Sequence, residues 1–386
     1  MSPAGSSSGW PLVATCARGL EETLAAELAA LGLAPDGSEA GGVRFRGGWP
    51  EVRGANWRLR TANRVLVELG TWPAPDDAAL YEGARELARR APRQALDLAN
   101  LLSPERTFAI AATTSGSALT DARWIALKVK DALVDEQRVR FGQRSSIDRR
   151  QPDVALRLRL HADRAALLLD TSGEPLDRRG YRVATVAAPV REQIAAACIL
   201  ASGWDGRGAL VDPLCGSGTF LVEGAAIALG LAPNRLRARF AFETLPGHDA
   251  EAWRELRERP LPALDDRLRI VGGDRDPAAI AAARANLAAA GLAERVELAV
   301  GDAFELEPPP PPGLFVTNPP YGGRLAGDLD FWPRLGDLLK KRYRGYRAAL
   351  LAGDTERGKR LGLRPRRRLP MWNGALETRL LLLDLY

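Results

Sequence analysis

The sequence has little of what disulfide frameworks and metal centres need. Its 386 residues include three cysteines (Cys16, Cys198, Cys215) and two histidines (His161, His248), all far apart. A disulfide scaffold is excluded, and a Cys/His metal site has no ligand set, so no metal is expected. No run of about 18 apolar residues occurs, which excludes a membrane-spanning helix. The opening MSPAGSSSGW lacks a basic start followed by an apolar stretch, so no secretory signal is expected. Together these absences predict the reducing cytoplasm as the compartment. Lysine is scarce too: five lysines stand beside 49 arginines. GC-rich coding alone produces that preference, so arginine content by itself carries no functional meaning.

What is present suits two or three soluble domains. Hydrophobic residues make up 46% and charged residues 26%, ordinary values for a well-packed chain. The net charge of +6 permits a nucleic-acid partner. It is unevenly placed: Lys340 to Pro370 holds 12 basic residues against Asp354 and Glu356, a segment of +10, leaving −4 elsewhere. Its densest run is RPRRR.

The first half reads as small α+β modules. Leu20, Leu24, Leu28 and Leu31 recur at helical spacing, with Gly32 where the helix ends. GGVRFRG alternates as a half-buried strand, and WRLRTANRVLVELGTW leads into another. TFAIAATTSGSALTDARWIALKVKDALVDEQRVRFG supplies a strand, a turn and an amphipathic helix whose apolar stripe is Trp124, Ile125, Val129, Leu133 and Val134, which places Trp124 in the core. DVALRLRLHADRAALLLD reads as a hairpin turning at Asp163, and RRGYR (178–182) as a linker with a basic edge. Beyond about residue 190 strand–loop–helix units follow one another, the texture of a parallel, doubly wound sheet. No internal repeat is visible.

Chemistry gathers at the strand ends of the second half. VDPLCGSGTF joins a strand to a helix through glycines, where backbone N–H groups and the helix dipole favour a polar or anionic group. A nicotinamide fingerprint needs a third glycine and an acid about 20 residues on; Gly216-Ser217-Gly218 lacks both. Asp212, Asp274 and Asp302 end the first three strands, and in a parallel sheet such ends share one crevice. The second can accept two ribose hydroxyls and the third an adenine amine, which describes a nucleoside groove. The fourth strand ends in Asn318-Pro319-Pro320-Tyr321. The prolines restrict the backbone, so Asn318 is held; its amide oxygen and the Pro319 carbonyl can accept the N–H groups of a planar exocyclic amine. Tyr321 offers a face for the attached base.

On DPLCGSGT, GGDRDP, GDAF and NPPYGGRL the sequence resembles S-adenosylmethionine-dependent amino-group methyltransferases. With ATCARGLEETLAAEL, GGVRFRG, ALKVKDALVD, LDRRGYR, GHDAEAW and MWNGALETRLL, the resemblance covers nearly the whole chain. It extends to the THUMP-containing guanine-N2 RNA methyltransferases, large-subunit ribosomal RNA branch. It implies an α/β fold: a Rossmann-like methyltransferase domain (181–386) preceded by a ferredoxin-like α+β part (1–65) and a THUMP RNA-binding domain (66–180). It implies S-adenosylmethionine as cofactor, held by Asp212, Gly216 and Gly218 at its methionine portion, by Asp274 at its ribose and by Asp302 at its adenine with Ala303 beside it; Cys215 and Thr219 are further expected cofactor-binding residues. Asn318, Pro319 and Tyr321 are the expected catalytic residues around a guanine of 23S ribosomal RNA. APVREQIAAACI brings Arg191 and Gln193 near the cofactor's amino-acid end. Lys128, Lys130, Arg149, Arg150, Arg366 and Arg367 are expected to contact RNA phosphates, with Arg123 and Arg144 as further candidates. Ribosomal RNA is the expected partner. A tRNA guanine-N2 enzyme and a non-catalytic ribosome-assembly factor are the alternatives. Larger family members add a second methyltransferase domain, and none is expected in this chain.

Overall fold

The computed structural model describes residues 9–90, 96–187, 189–259, 268–319, 330–353, 355–374 and 376–386. In the first half the strands are β1 (Trp10–Cys16), β2 (Pro35–Glu39), β3 (Gly42–Gly47), β4 (Ala62–Pro73), β5 (Phe108–Ser115), β6 (Val154–His161) and β7 (Arg164–Asp170). They form one sheet in the order β2-β3-β1-β4-β7-β6-β5, antiparallel apart from the β5–β6 pair. Period-two alternation sends Leu156, Leu158 and Leu160 into the core and Arg157, Arg159 and His161 to the other face. The hairpin turn sits at Ala162 and Asp163, both at positive φ. Helices α1 (Glu21–Ala30), α2 (Trp49–Arg58), α3 (Asp77–Arg89), α4 (Leu98–Leu101) and α5 (Ala122–Phe141) contribute to the same core. Gly32, at φ +77, follows α1 as the leucine spacing predicts. β4 crosses residue 65, so the two N-terminal parts share a continuous sheet.

The second half contains α6 (Glu192–Ser202), β8 (Ala209–Asp212), α7 (Thr219–Ala228), α8 (Ala250–Arg257), β9 (Arg269–Asp274), α9 (Pro277–Ala289), β10 (Glu297–Val300), β11 (Gly313–Thr317), α10 (Phe331–Arg342), β12 (Tyr346–Ala352), α11 (Thr355–Arg360), β13 (Arg367–Asn373) and β14 (Leu376–Asp384). The strand order is β10-β9-β8-β11-β12-β14-β13. From β10 to β12 the sheet is parallel, and the order reverses between β8 and β11, which opens a crevice at their C-terminal ends. β13 and β14 depart from the expected parallel sheet: they are antiparallel. β13 contains Pro370 and lies at the sheet edge, where a missing N–H is tolerated.

The halves share one hydrophobic core, which runs from Leu12 to Leu382. An insertion after α7 plugs into the N-terminal half. Trp253 meets Trp57 edge-on at 5.3 Å, Phe240 at 5.5 Å and Phe242 at 5.1 Å. His248 packs on Trp49 and Phe242 in the same cluster. Polar clips flank it. Arg60 donates to the carbonyls of Ala226 and Leu231, and Asn234 to that of Asn56. The RRGYR segment is not the basic linker edge expected. Arg179 is 1% exposed, paired with the equally buried Glu223 at 3.5 Å, and donates to the carbonyls of Leu176 and Arg60. A buried guanidinium needs such partners to offset its desolvation. Trp124 is likewise not in the core: it is 46% exposed, donates its indole N–H to Asp77, and stacks against the Lys128 ammonium.

Candidate active site

The glycine loop leaves β8 at Asp212, which is 1% exposed. Gly216 and Gly218 both have positive φ, and Gly218 caps α7. A Cβ on Gly218 would come within 3.0 Å of the Ala283 side chain, so α9 packs where only glycine fits. The loop is pinned to β9: Cys215 N–H donates to the Gly273 carbonyl at 2.8 Å and Gly216 N–H to the Asp274 carboxylate at 3.0 Å. The other Asp274 oxygen accepts the Asp276 N–H. Each of these oxygens keeps lone-pair capacity for a ligand hydroxyl. Asp302, after β10, accepts the N–H of Phe304.

These strand ends enclose a cavity of about 430 Å³. Of the sequence candidates, Asp212, Cys215, Gly216, Thr219, Asp274, Asp302, Ala303, Asn318 and Pro319 line it. Gly218 shapes the loop without lining the cavity, as do neither Arg191 nor Gln193. The amide oxygen of Asn318 is buried there with no partner among the described residues. Tyr321 lies outside the described residues. Four carboxylates (Asp212, Asp274, Asp276, Asp302) face two guanidiniums (Arg275, Arg334), so the cavity favours a cationic ligand. Burial pushes the Asp212 carboxyl up to about 7, against the pull of the Thr317 hydroxyl and the Leu214 N–H, and the Asp274 charge adds to the rise. Burial also drives the Cys215 thiol far up, which keeps it a neutral wall rather than a nucleophile.

The resemblance set APVREQIAAACI, which includes Pro189 and Val190, near the cofactor, and both residues line the cavity; Val186, Phe331 and Arg334 were not anticipated. Val186, Pro189 and Val190 come from the segment joining the halves, while Phe304, Phe331 and Arg334 form another side, with Arg334 stacked 4.1 Å from the Phe304 ring. Upstream of that motif, the joining segment's proximity to the glycine loop leaves no local sequence signal. Phe304 follows directly after the Asp302-Ala303 pair and was within reach.

The proposed phosphate contacts fall in three places. Lys128 and Lys130 share a shallow hollow with Tyr81, Arg138 and Arg144. Arg149 and Arg150 are exposed in the turn region after α5. Lys130 is paired with Asp131 at 2.5 Å, Arg366 donates to the Ser202 carbonyl, and Arg367 grips Glu22 of α1 with two bonds of 2.8 and 2.9 Å. Among the described residues no group of three or more His, Cys, Asp or Glu is placed to hold a metal. None of the helices described is long and apolar enough to cross a membrane.

Comparison with known proteins accounts for this arrangement. A family model described as the RMKL-like methyltransferase domain matches residues 179–381, more than half of the chain. The chain belongs to the RMKL-like methyltransferase family. Its N-terminal half matches the RlmL ferredoxin-like domain over residues 11–66 and the THUMP domain over 79–170. This RMKL-like protein is 38% identical over 391 residues to the ribosomal RNA large subunit methyltransferase K/L of Stutzerimonas stutzeri, covering 96% of this chain and 52% of that one. It is also 38% identical over 384 residues to the K/L protein of Methylococcus capsulatus. The chain thus spans about half the length of these K/L relatives. A Synechocystis sp. protein, named as a proposed RNA methyltransferase, is 36% identical over 381 residues, 97% of both chains. Among solved structures, SMU.472, a proposed methyltransferase crystallised with SAH, is similar at TM-score 0.85 and 30% identity over 98% of each chain. TrmN from Thermus thermophilus shares the fold at TM-score 0.69 and 20% identity, over 97% of this chain and 99% of that one.

Proposed function

We propose that this chain transfers a methyl group from S-adenosylmethionine to the exocyclic N2 amine of a guanine in 23S ribosomal RNA, in the bacterial cytoplasm. The observation that carries the reading is the unpartnered, buried amide oxygen of Asn318 at the end of β11, facing a cavity ringed by strand-end carboxylates.

The residues fit the cofactor. An acid-rich cavity suits a ligand with a sulfonium and an ammonium; Asp274 retains acceptor capacity for ribose hydroxyls, Asp302 lies where an adenine amine can be met, and Asp212 faces the amino-acid end. When bound, S-adenosylmethionine supplies an electrophilic methyl group, and the difficult chemistry is its own. The chain supplies position and charge. Asn318 Oδ1 and the Pro319 carbonyl each accept one N–H of the guanine amine, which directs its lone pair toward the cofactor and stabilises positive charge as it develops on nitrogen. Tyr321 is proposed to stack on the base once it is turned out of the RNA, offsetting part of a cost of a few kcal/mol. No general base is assigned, because the alkylated nitrogen loses its proton readily. The THUMP half is proposed to hold the RNA, with Lys128, Lys130, Arg149 and Arg150 at phosphates, which position without reading sequence. Arg366 and Arg367 are proposed to reach RNA only from within their intramolecular pairs.

The test is nucleoside mass spectrometry after incubation with labelled S-adenosylmethionine and separate unmodified ribosomal RNA and tRNA pools. N2-methylguanosine in the ribosomal pool supports the proposal. The same product only in tRNA moves the enzyme to the tRNA branch. Failure to bind the cofactor at all would leave an RNA-binding assembly factor.

A further inference from the structure

The segment joining the two halves is clipped to the glycine loop from two sides. Asn286 of α9, 0% exposed, accepts the N–H groups of Val183 and Ala184 and donates to the carbonyls of Ala184 and Ser217. Arg182 makes the second clip. Its guanidinium donates to Glu192 Oε1 at 2.8 Å, the Val190 carbonyl at 3.0 Å, Thr219 Oγ1 at 3.1 Å and Ser217 Oγ at 3.3 Å. A guanidinium has donors only. Both hydroxyl oxygens therefore act as acceptors toward Arg182, and each retains its own proton to give away. Neither proton meets an acceptor among the described residues. Ser217 and Thr219 are each 3% exposed, and both line the cavity. They flank the Gly218 cap of α7, where the first-turn N–H groups and the helix dipole already favour negative charge.

We infer that Arg182 is a positioning residue that turns the Ser217 and Thr219 hydroxyls into donors for a carboxylate, the amino-acid carboxylate of S-adenosylmethionine. The inference rests on the cofactor reading above and deepens it. It assigns to a residue outside the cavity the selection of one end of the ligand. The cavity is otherwise acid-rich and repels an anion, so this corner is where a carboxylate can be accepted. Glu192 holds the guanidinium from behind and fixes its fork.

The experiment compares two ligands by calorimetry: S-adenosylmethionine and its decarboxylated form, which keeps the adenosine, sulfonium and ammonium. The wild-type chain is expected to prefer the carboxylated ligand by roughly 10-fold or more, the scale of hydrogen bonds to a charged group. Arg182→Met is expected to remove most of that preference, lowering affinity for S-adenosylmethionine while leaving the decarboxylated ligand within about twofold. Thr219→Val, which keeps side-chain shape and leaves Arg182 in place, is expected to remove part of it. Arg182→Lys restores part of it. A parallel loss for both ligands, with the ratio intact, would show a merely structural clip and overturn the inference. So would an unchanged affinity for S-adenosylmethionine in both variants. Absence of binding to the wild-type chain would instead overturn the cofactor reading on which the inference stands.

Discussion

Trp253→Ala tests whether the insertion after α7 fastens the two halves into one folding unit. Trp253 is 5% exposed and meets three aromatic rings edge-on between 5.1 and 5.5 Å, of which Trp57 belongs to the N-terminal half. Truncating a buried tryptophan removes its transfer free energy and leaves a cavity, about 3–5 kcal/mol in total. Each edge-on pair contributes roughly 0.5–1.5 kcal/mol beyond area. The site has little room to collapse, since the surrounding rings are held by other contacts, so a loss of about 4 kcal/mol is expected. Urea unfolding followed by far-ultraviolet circular dichroism and by tryptophan fluorescence reads the result. The wild type should give coincident transitions, because one core runs through both halves. The variant should shift to lower urea and, once its dock is loosened, show the two probes separating. Trp253→Phe should lose about 1–2 kcal/mol, keeping an aromatic edge with a smaller void. A loss below about 1 kcal/mol for alanine would refute the reasoning, and so would non-coincident transitions in the wild type.

Asn318→Ala should lower turnover by roughly 10²-fold while sparing cofactor affinity, as expected when one preorganised polar contact to the reacting group is lost; single-turnover kinetics with ribosomal RNA checks it. Asp274→Ala should weaken cofactor binding by at least about tenfold, because it removes a hydroxyl acceptor and frees the Gly216 N–H together, and calorimetry reads this directly. For Asp212 the sign follows from a carboxyl raised in the fold to about 7: the folded form binds a proton that the unfolded form has released. Stability of the ligand-free chain should therefore fall as pH rises from about 4 toward 7 and level off above, while affinity for the cationic cofactor should rise over pH 6 to 7. Asp212→Asn should flatten both profiles, and thermal melts with matched calorimetry at four pH values would expose a failure.

The second half was the more legible because its chemistry sits in contiguous strand-end motifs. GSGT, GGD, GDAF and NPP each stand at a strand end with their candidate residue, so the parallel order of the strands places them at one crevice. Long-range partners were not legible. Arg179 reads as a surface cation until Glu223, 44 positions later, is brought against it. Trp124 falls at helical spacing with buried residues, yet its indole N–H finds Asp77, the Lys128 ammonium lies over its ring, and it stays 46% exposed. β2, PDGSE, is polar and largely exposed and pairs through its backbone with β3, so no hydropathy pattern announces it. Val186, in the same wall as Pro189 and Val190, is placed there by tertiary packing alone.

That wall changes what modularity means for this chain. Two halves with separate family matches invite exchange: a different THUMP half grafted in front of the same methyltransferase half. A graft made just before α6 would carry off one side of the catalytic cavity, together with the guanidinium that sets two of its hydroxyls. The unit that can be inherited or transplanted intact therefore begins upstream, near Leu176, whose N–H is already bound to the Asn63 carbonyl of the other half. Recombination in such a protein is expected to be tolerated within the N-terminal sheet and punished at the seam.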